Sequence, residues 1–189
     1  MEQNNILNIS RKIRGDNALE DISIFNEEMT ISQVVRFFER RGIEFTKTMI
    51  QNYVRINLLP PPAEKRYYTR QHLILLNLIH SLKSIYSLDD IKELFRPILK
   101  DFSTFDDDMI DISAVYDIYV KLYQSALEDW ETGLPHLVGQ VQSLVEGSSV
   151  DAADKPVAFQ FITILTLMAQ SIAAARLAKE LLGNQPEGD

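Results

Sequence analysis

Lys47, Thr48, Gln51, Asn52 and Arg55 recur at i, i+1, i+4, i+5 and i+8, the spacing that places side chains on one face of an α-helix. That face has two cations, three hydrogen-bonding side chains and no acid. Such a set suits base edges: a glutamine or asparagine amide donates and accepts in the pattern of adenine, and an arginine fork matches guanine. Farther on, Lys65, Arg66, Tyr67 and Tyr68 follow Pro60-Pro61-Pro62. On a stiff turn, cations of this kind pair with phosphate oxygens and a tyrosine hydroxyl donates to one. The chemistry expected of these residues is non-covalent recognition of double-stranded DNA, with the helix of about 46–56 in the major groove. A solvated polar face explains the helix alone equally well; helix and basic turn together favour DNA.

Charge is distributed accordingly. Residues 30–100 hold 12 Lys/Arg and 6 Asp/Glu, net +6, whereas 101–189 hold 4 and 15, net −11, and 1–29 hold 3 and 6, net −3. A basic module that meets an anion is thus joined to an acidic one with another task. Other chemistries are disfavoured. With no cysteine, disulfides, thiol catalysis and thiolate metal sites are excluded. His72, His80 and His136 are too scattered for a catalytic or metal cluster. Asp106, Asp107, Asp108 and Asp111 read as an acidic flank to the helix that follows, rather than a cation site. Without a glycine-rich phosphate loop or a nucleophile motif, no enzyme and no cofactor are expected. The N-terminus lacks a basic-then-apolar leader, so a cytoplasmic location is expected.

The elements that must hold the basic face follow from periodicity. Residues 1–29 show no clear period and read as an extended arm, with Ile22, Ile24 and Phe25 able to pack on the next unit. Thr30 to Gln33 is a capping box, opening a helix with Ile31, Val34, Val35 and Phe38 inward and Gly42 as its stop. After the short link "GIEF", the second helix buries Met49, Ile50, Tyr53 and Ile56. The prolines end it, and Ala63–Tyr68 is a short connector. Thr69 or Arg70 opens a third helix with Leu73, Leu76, Ile79, His80 and Lys83 on one side. Ser87 to Asp90 is a second capping box, ahead of Ile91, Leu94, Phe95 and Ile98.

Residues 101–111 read as an acidic linker, and 112–183 as a helical dimerisation or effector domain. Its first stripe runs from Ile112 through Tyr116, Tyr119 and Tyr123 to Trp130, with an interruption expected at Gly133 and Pro135. A second stripe is Leu137, Val138, Val141, Leu144 and Val145. The last helix starts at Asp154 with Pro156 in its first turn and stops at Gly183-Asn184, leaving 184–189 as a tail. No charge falls between Val157 and Ala175, nearly enough to span a bilayer. Gln160, Thr163, Thr166, Gln170 and Ser171 interrupt that run, so a buried core helix, central in a bundle or shared with a second subunit, is expected rather than a membrane span. The aromatic stripe reads as core packing, with a pocket for a small-molecule effector as the alternative. The fold class is all-α.

The segments "TISQVVRFFERRG", "MIQNYVRINLLPPPAEKRYYT" and "SLDDIKEL" together resemble the DNA-binding domain of the mercury-resistance-regulator (MerR) type. There a helix-turn-helix leads through Gly-Leu-Leu-Pro to an Arg-x-Tyr wing, a third helix and a Ser-Leu-x-x-Ile helix. Here Leu58-Leu59-Pro60, Arg66-Tyr67-Tyr68 and Ser87-Leu88-Asp89-Asp90-Ile91 match in order, over about 70 of 189 residues. The core "TKTMIQNYV…PP…KRYY" resembles more closely still a bacterial family of unknown function, domain of unknown function 1836. The resemblance implies a transcriptional regulator acting as a homodimer on a two-fold-related site, paired through its C-terminal helices. It puts Gln51 in the place of a recognition-helix arginine, Tyr53 in that of a family tyrosine and Arg66 in that of the wing arginine. Asn57 departs from the usual glycine, the wing is several residues shorter, and repression stands open beside activation. A protein-binding adaptor, its basic helices docked on an acidic partner, is the alternative reading.

Overall fold

A computed structural model describes residues 3–15, 22, 28–99, 104–105 and 111–184. Among the described residues the fold is all-α apart from one small β-ribbon. In order the elements are α1 (Gln3–Gly15), β1 (Met29–Thr30), α2 (Ile31–Glu39), α3 (Lys47–Arg55), β2 (Tyr67–Tyr68), α4 (Arg70–Leu82), α5 (Leu88–Phe95), α6 (Ile112–Glu146) and α7 (Lys155–Gly183). They form two compact units. One covers residues 18–121; the other combines residues 1–17 with 122–184.

The first unit is built around α4. Leu73, Ile74, Leu75, Leu76 and Ile79 are all fully buried, because neighbouring elements surround this helix on nearly every side. Its buried Asn77 donates to the Tyr116 hydroxyl at 3.0 Å, and Arg70 pairs with Asp117 at 2.9 Å, so the first turns of α6 belong to this unit. Burial pushes the Tyr116 hydroxyl pKa up to about 12, against the opposing pull of the Asn77 hydrogen bond. Tyr116 therefore stays neutral and serves as a buried hydrogen-bonding link between α4 and α6. β1 pairs antiparallel with β2, Met29 opposite Tyr68 and Thr30 opposite Tyr67.

Helix ends follow local chemistry closely. The Gln33 side-chain oxygen accepts from the Thr30 backbone N–H at 2.9 Å, and Ser87 and Asp90 exchange hydrogen bonds across the start of α5 at 3.1 and 3.3 Å. Gly42 sits at φ 73°. Its N–H reaches the Glu39 carbonyl and that of Ile43 reaches Phe38, which closes α2 in a Schellman turn.

In the second unit, Val138, Val141 and Val145 of α6 pack with Phe159 of α7, and Ile6 of α1 lies against them. Arg11 of α1 faces Glu131 at 3.8 Å. Three expectations change here. Residues 3–15 form a helix where an extended arm was expected: Ile6 and the buried Ser10 give it an inward side too narrow to register as a period. Gly133 and Pro135 both lie inside an unbroken α6. The N–H that Pro135 lacks is offset by burial of its neighbours Leu134 and Val138. Finally, α7 is not a buried core helix. Only Phe159 and Thr163 are buried along it, and most of its large apolar side chains face out. Asp154 stands at the N-cap of α7 without a side-chain cap bond; Lys155 instead donates to the Glu146 carbonyl at 2.7 Å, closing the loop from α6.

Of the proposed linker, residues 101–103 and 106–110 lie outside the described residues, as do Ile24, Phe25 and the tail after Asn184.

Candidate nucleic-acid interface

The face of interest depends on how α3 is held. Thr46 caps its start, the hydroxyl accepting from the Met49 N–H at 3.1 Å. Its inward side is Ile50 and Tyr53, both buried, with Met49 and Ile56 half-buried at the margins. Phe45, in the turn before it, meets Phe38 of α2 edge-on at 4.8 Å and Tyr53 at 6.5 Å between ring centroids. Burial raises the Tyr53 hydroxyl above its usual pKa, so it too remains neutral.

At the other end, Asn57 occupies the left-handed region at φ 54°. The Asn57 N–H reaches the Val54 carbonyl and the Leu58 N–H reaches Tyr53, the same closure that Gly42 gives α2. Asparagine is the residue after glycine best able to adopt this conformation, which explains why it can stand where glycine is usual. Lys92 of α5 then donates to the Ile56 carbonyl at 3.0 Å. A cation at a helix C-terminus is favourable, and this one ties α5 to the end of α3, a long-range contact that no local pattern predicts.

The outward face of α3 is open. Lys47, Thr48, Gln51 and Arg55 are exposed, and Asn52 is half-buried. Arg55 donates to the Asn52 side-chain oxygen at 2.6 Å, so the two side chains are oriented as a pair, with the Asn52 amide nitrogen and the rest of the guanidinium still able to donate.

Beside this face the chain between Pro62 and Tyr67 makes a tight turn. Glu64 and Lys65 have φ of 52° and 60°, and the Arg66 N–H closes on the Ala63 carbonyl at 3.0 Å. Two consecutive left-handed residues are the pattern of a type I′ turn, which favours asparagine and glycine. Neither Glu64 nor Lys65 fits it well; each left-handed placement costs about 1–2 kcal/mol. Glu64→Gly is therefore expected to stabilise the fold by about 0.5–1 kcal/mol, the relief of strain less the added chain entropy. Urea unfolding of the two proteins checks this, and a lower midpoint for the variant would contradict it.

The turn holds Lys65 and Arg66 out into solvent, with the Arg66 guanidinium 5.3 Å from the half-buried Tyr67 ring. Tyr68 behaves differently. It is buried, its ring 5.2 Å from His72, and burial raises its hydroxyl pKa. A cleft of about 400 Å³ between α3 and the turn is lined by Thr30, Gln51, Lys65, Arg66 and Tyr68 together with Ile31, Val54 and Pro62. Gln51, Lys65, Arg66 and Tyr68 are thus brought to one place, whereas Lys47, Thr48, Asn52 and Arg55 continue along α3. Among the described residues, no carboxylate lines the cleft.

His72 is the residue that sequence reasoning undervalued. At 1% exposure it is a buried histidine. Its Nδ1 accepts from the Thr69 backbone N–H at 3.0 Å, so the ring proton sits on Nε2 and is donated to the Pro61 carbonyl at 3.2 Å. Phe105 meets the other side of the ring at 4.8 Å. One side chain thereby caps α4, anchors the proline run and supports Tyr68 under the turn. Its position three residues after a helix-capping threonine was the available signal, since Gln33 and Asp90 occupy the same place after Thr30 and Ser87. His80 lies against Phe45 at 5.8 Å and His136 is exposed.

The fold and this surface define an all-α domain with a short β-ribbon beside a basic helix face. Residues 19–119 match the family model described as Domain of unknown function (DUF1836), and the chain belongs to that family. No curated protein and no solved structure matches.

Proposed function

We propose that this protein is a sequence-specific DNA-binding transcriptional regulator that acts as a homodimer, with α2 and α3 as a helix-turn-helix of the MerR type and the Ala63–Arg66 turn as its wing. The observation that carries the reading is the cleft in which Gln51 of α3 and Lys65 and Arg66 of the turn converge, with no carboxylate among the described residues that line it. A helix buried through Ile50 and Tyr53 and open through Gln51, Asn52 and Arg55 has the form needed to enter a major groove. The adjoining cations then have phosphates within reach.

Binding of the full chain to duplex DNA across a salt series tests this. A steep fall in affinity with salt is expected, because each phosphate contact releases counterions. Arg66→Ala should weaken binding to all sequences alike and reduce the salt slope by about one. Gln51→Ala should instead lose selectivity at one base step, by about 1–3 kcal/mol. Affinity that ignores salt, or wild-type affinity in Arg66→Ala, would count against the proposal.

A further inference from the structure

α7 turns its more apolar side away from its own chain. Val157, Phe161, Ile164, Leu165, Met168 and Ile172 fall at i, i+4, i+7, i+8, i+11 and i+15, a single stripe on the helix. These six side chains are between 47% and 69% exposed. The polar residues Thr163, Thr166 and Gln170 lie on the other side, where Phe159 and Thr163 are buried, and Gln160 and Ser171 flank the stripe beside Ile164. Six large side chains so exposed leave on the order of 600 Å² of apolar surface, the upper end of what a monomer shows. Two such surfaces joined would bury roughly 1,200 Å², enough for a specific interface.

Charge selects the occupant and its direction. Asp151 and Asp154 precede the stripe, with Lys155 held by Glu146 of its own chain at 3.5 Å; Arg176, Lys179 and Glu180 follow it, net +1. In a two-fold antiparallel pairing centred between Ile164 and Leu165, Val157 opposes Ile172 and Phe161 opposes Met168. The same register opposes Asp154 to Ala175 and Asp151 to Ala178, which brings Arg176 and Lys179 of the second copy within one position of the two acids. A parallel pairing would set acid on acid at one end and base on base at the other, which is destabilising. By length and composition α7 also passes as a membrane span; the Thr163 and Thr166 hydroxyls are satisfied by the Phe159 and Ile162 carbonyls, but the Gln160 and Gln170 amides would then enter lipid, which is costly.

We infer that α7 is a self-recognition surface, its Val157–Ile172 stripe covered by the same stripe of a second, antiparallel copy of this chain. This gives the homodimer proposed above its interface, and it rests on the dimeric part of that reading alone. The chain has no cysteine, so introduced thiols report cleanly. Chains carrying Phe161→Cys and Met168→Cys, one of them enlarged by a tag, are mixed and mildly oxidised. The expected product is the mixed disulfide dimer, with either variant alone cross-linking about tenfold less. Homodimers of each variant would show parallel pairing and overturn the inference. In sedimentation equilibrium the wild-type chain should be a dimer, and Met168→Asp should raise its dissociation constant about 100-fold or more, since a buried charge would lack a partner. A monomeric wild-type chain, or one that floats with phosphatidylcholine–phosphatidylglycerol vesicles as a monomer, overturns it. A dimer indifferent to DNA would sink the regulator reading and leave this one standing; a DNA-binding monomer would do the reverse.

Discussion

Phe38→Ala is expected to destabilise the first unit by about 3–5 kcal/mol, a large share of the 5–15 kcal/mol by which domains are typically stable. Phe38 is fully buried. Its ring meets Phe37 at 5.2 Å and Phe45 at 4.8 Å, both edge-on. Its carbonyl accepts from the N–H groups of Arg41 and Ile43, which turn the chain from α2 toward α3. Removing the ring empties a site that joins both helices and cannot collapse without moving one of them. Urea unfolding, read through hydrogen exchange of the α2–α4 amides, measures the effect on this unit. A loss under about 1 kcal/mol would show that the aromatic cluster does not set the angle between α2 and α3. Because the outward face of α3 is aimed by its buried face, the same variant should lose any function that depends on Gln51 and Arg66 acting together.

Acid is expected to act through His72. Burial lowers its pKa from 6.5 to about 4, opposed in part by hydrogen bonds to the Pro61 and Pro60 carbonyls. Between those two values the unfolded chain binds a proton that the folded chain refuses. The associated stability is therefore complete above about pH 6.5, falls as the pH drops, and is gone below about pH 4. It amounts to on the order of 3 kcal/mol. The structural meaning is direct: a protonated Nδ1 cannot accept from Thr69, so the start of α4 and the footing of the turn are lost together. His72→Gln provides the control. A glutamine can cap Thr69 as Gln33 caps Thr30, but it does not titrate. Unfolding free energies at pH 7 and pH 4.5 should differ much less in the variant than in the wild type, and equal pH dependence in the two would remove His72 from this role.

Much of the local organisation could be read directly. The Thr30–Gln33 and Ser87–Asp90 boxes, the Gly42 stop, the Thr46 cap and the division of α3 into two faces depend on residues within five positions of each other. Their chemistry is complete in a short window, so type and spacing suffice. Tyr68 and His72 show where that ends. As sequence, Tyr68 belongs with Lys65, Arg66 and Tyr67; in the fold, pairing of β2 with β1 sends it inward onto His72. Lys92 at the end of α3 and Asn77 beneath Tyr116 link residues 36 and 39 positions apart, and no periodicity carries such a contact.

α7 draws the boundary most clearly. Composition and period establish that this segment is a long helix with no charge from Val157 to Ala175, hence that it has apolar surface to bury. They are silent on the partner, because burial is a property of two surfaces and a sequence lists only one of them. The fold shows that the chain covers α7 only near its start, at Phe159 and Thr163, and leaves the Val157–Ile172 stripe open. Caps, charge distribution and most helix bounds are thus fixed by near neighbours along the chain, whereas α1 and the run of α6 through Pro135 are not. The inward turn of Tyr68, the seat of His72 and the uncovered stripe of α7 arise only when distant segments compete for the same core.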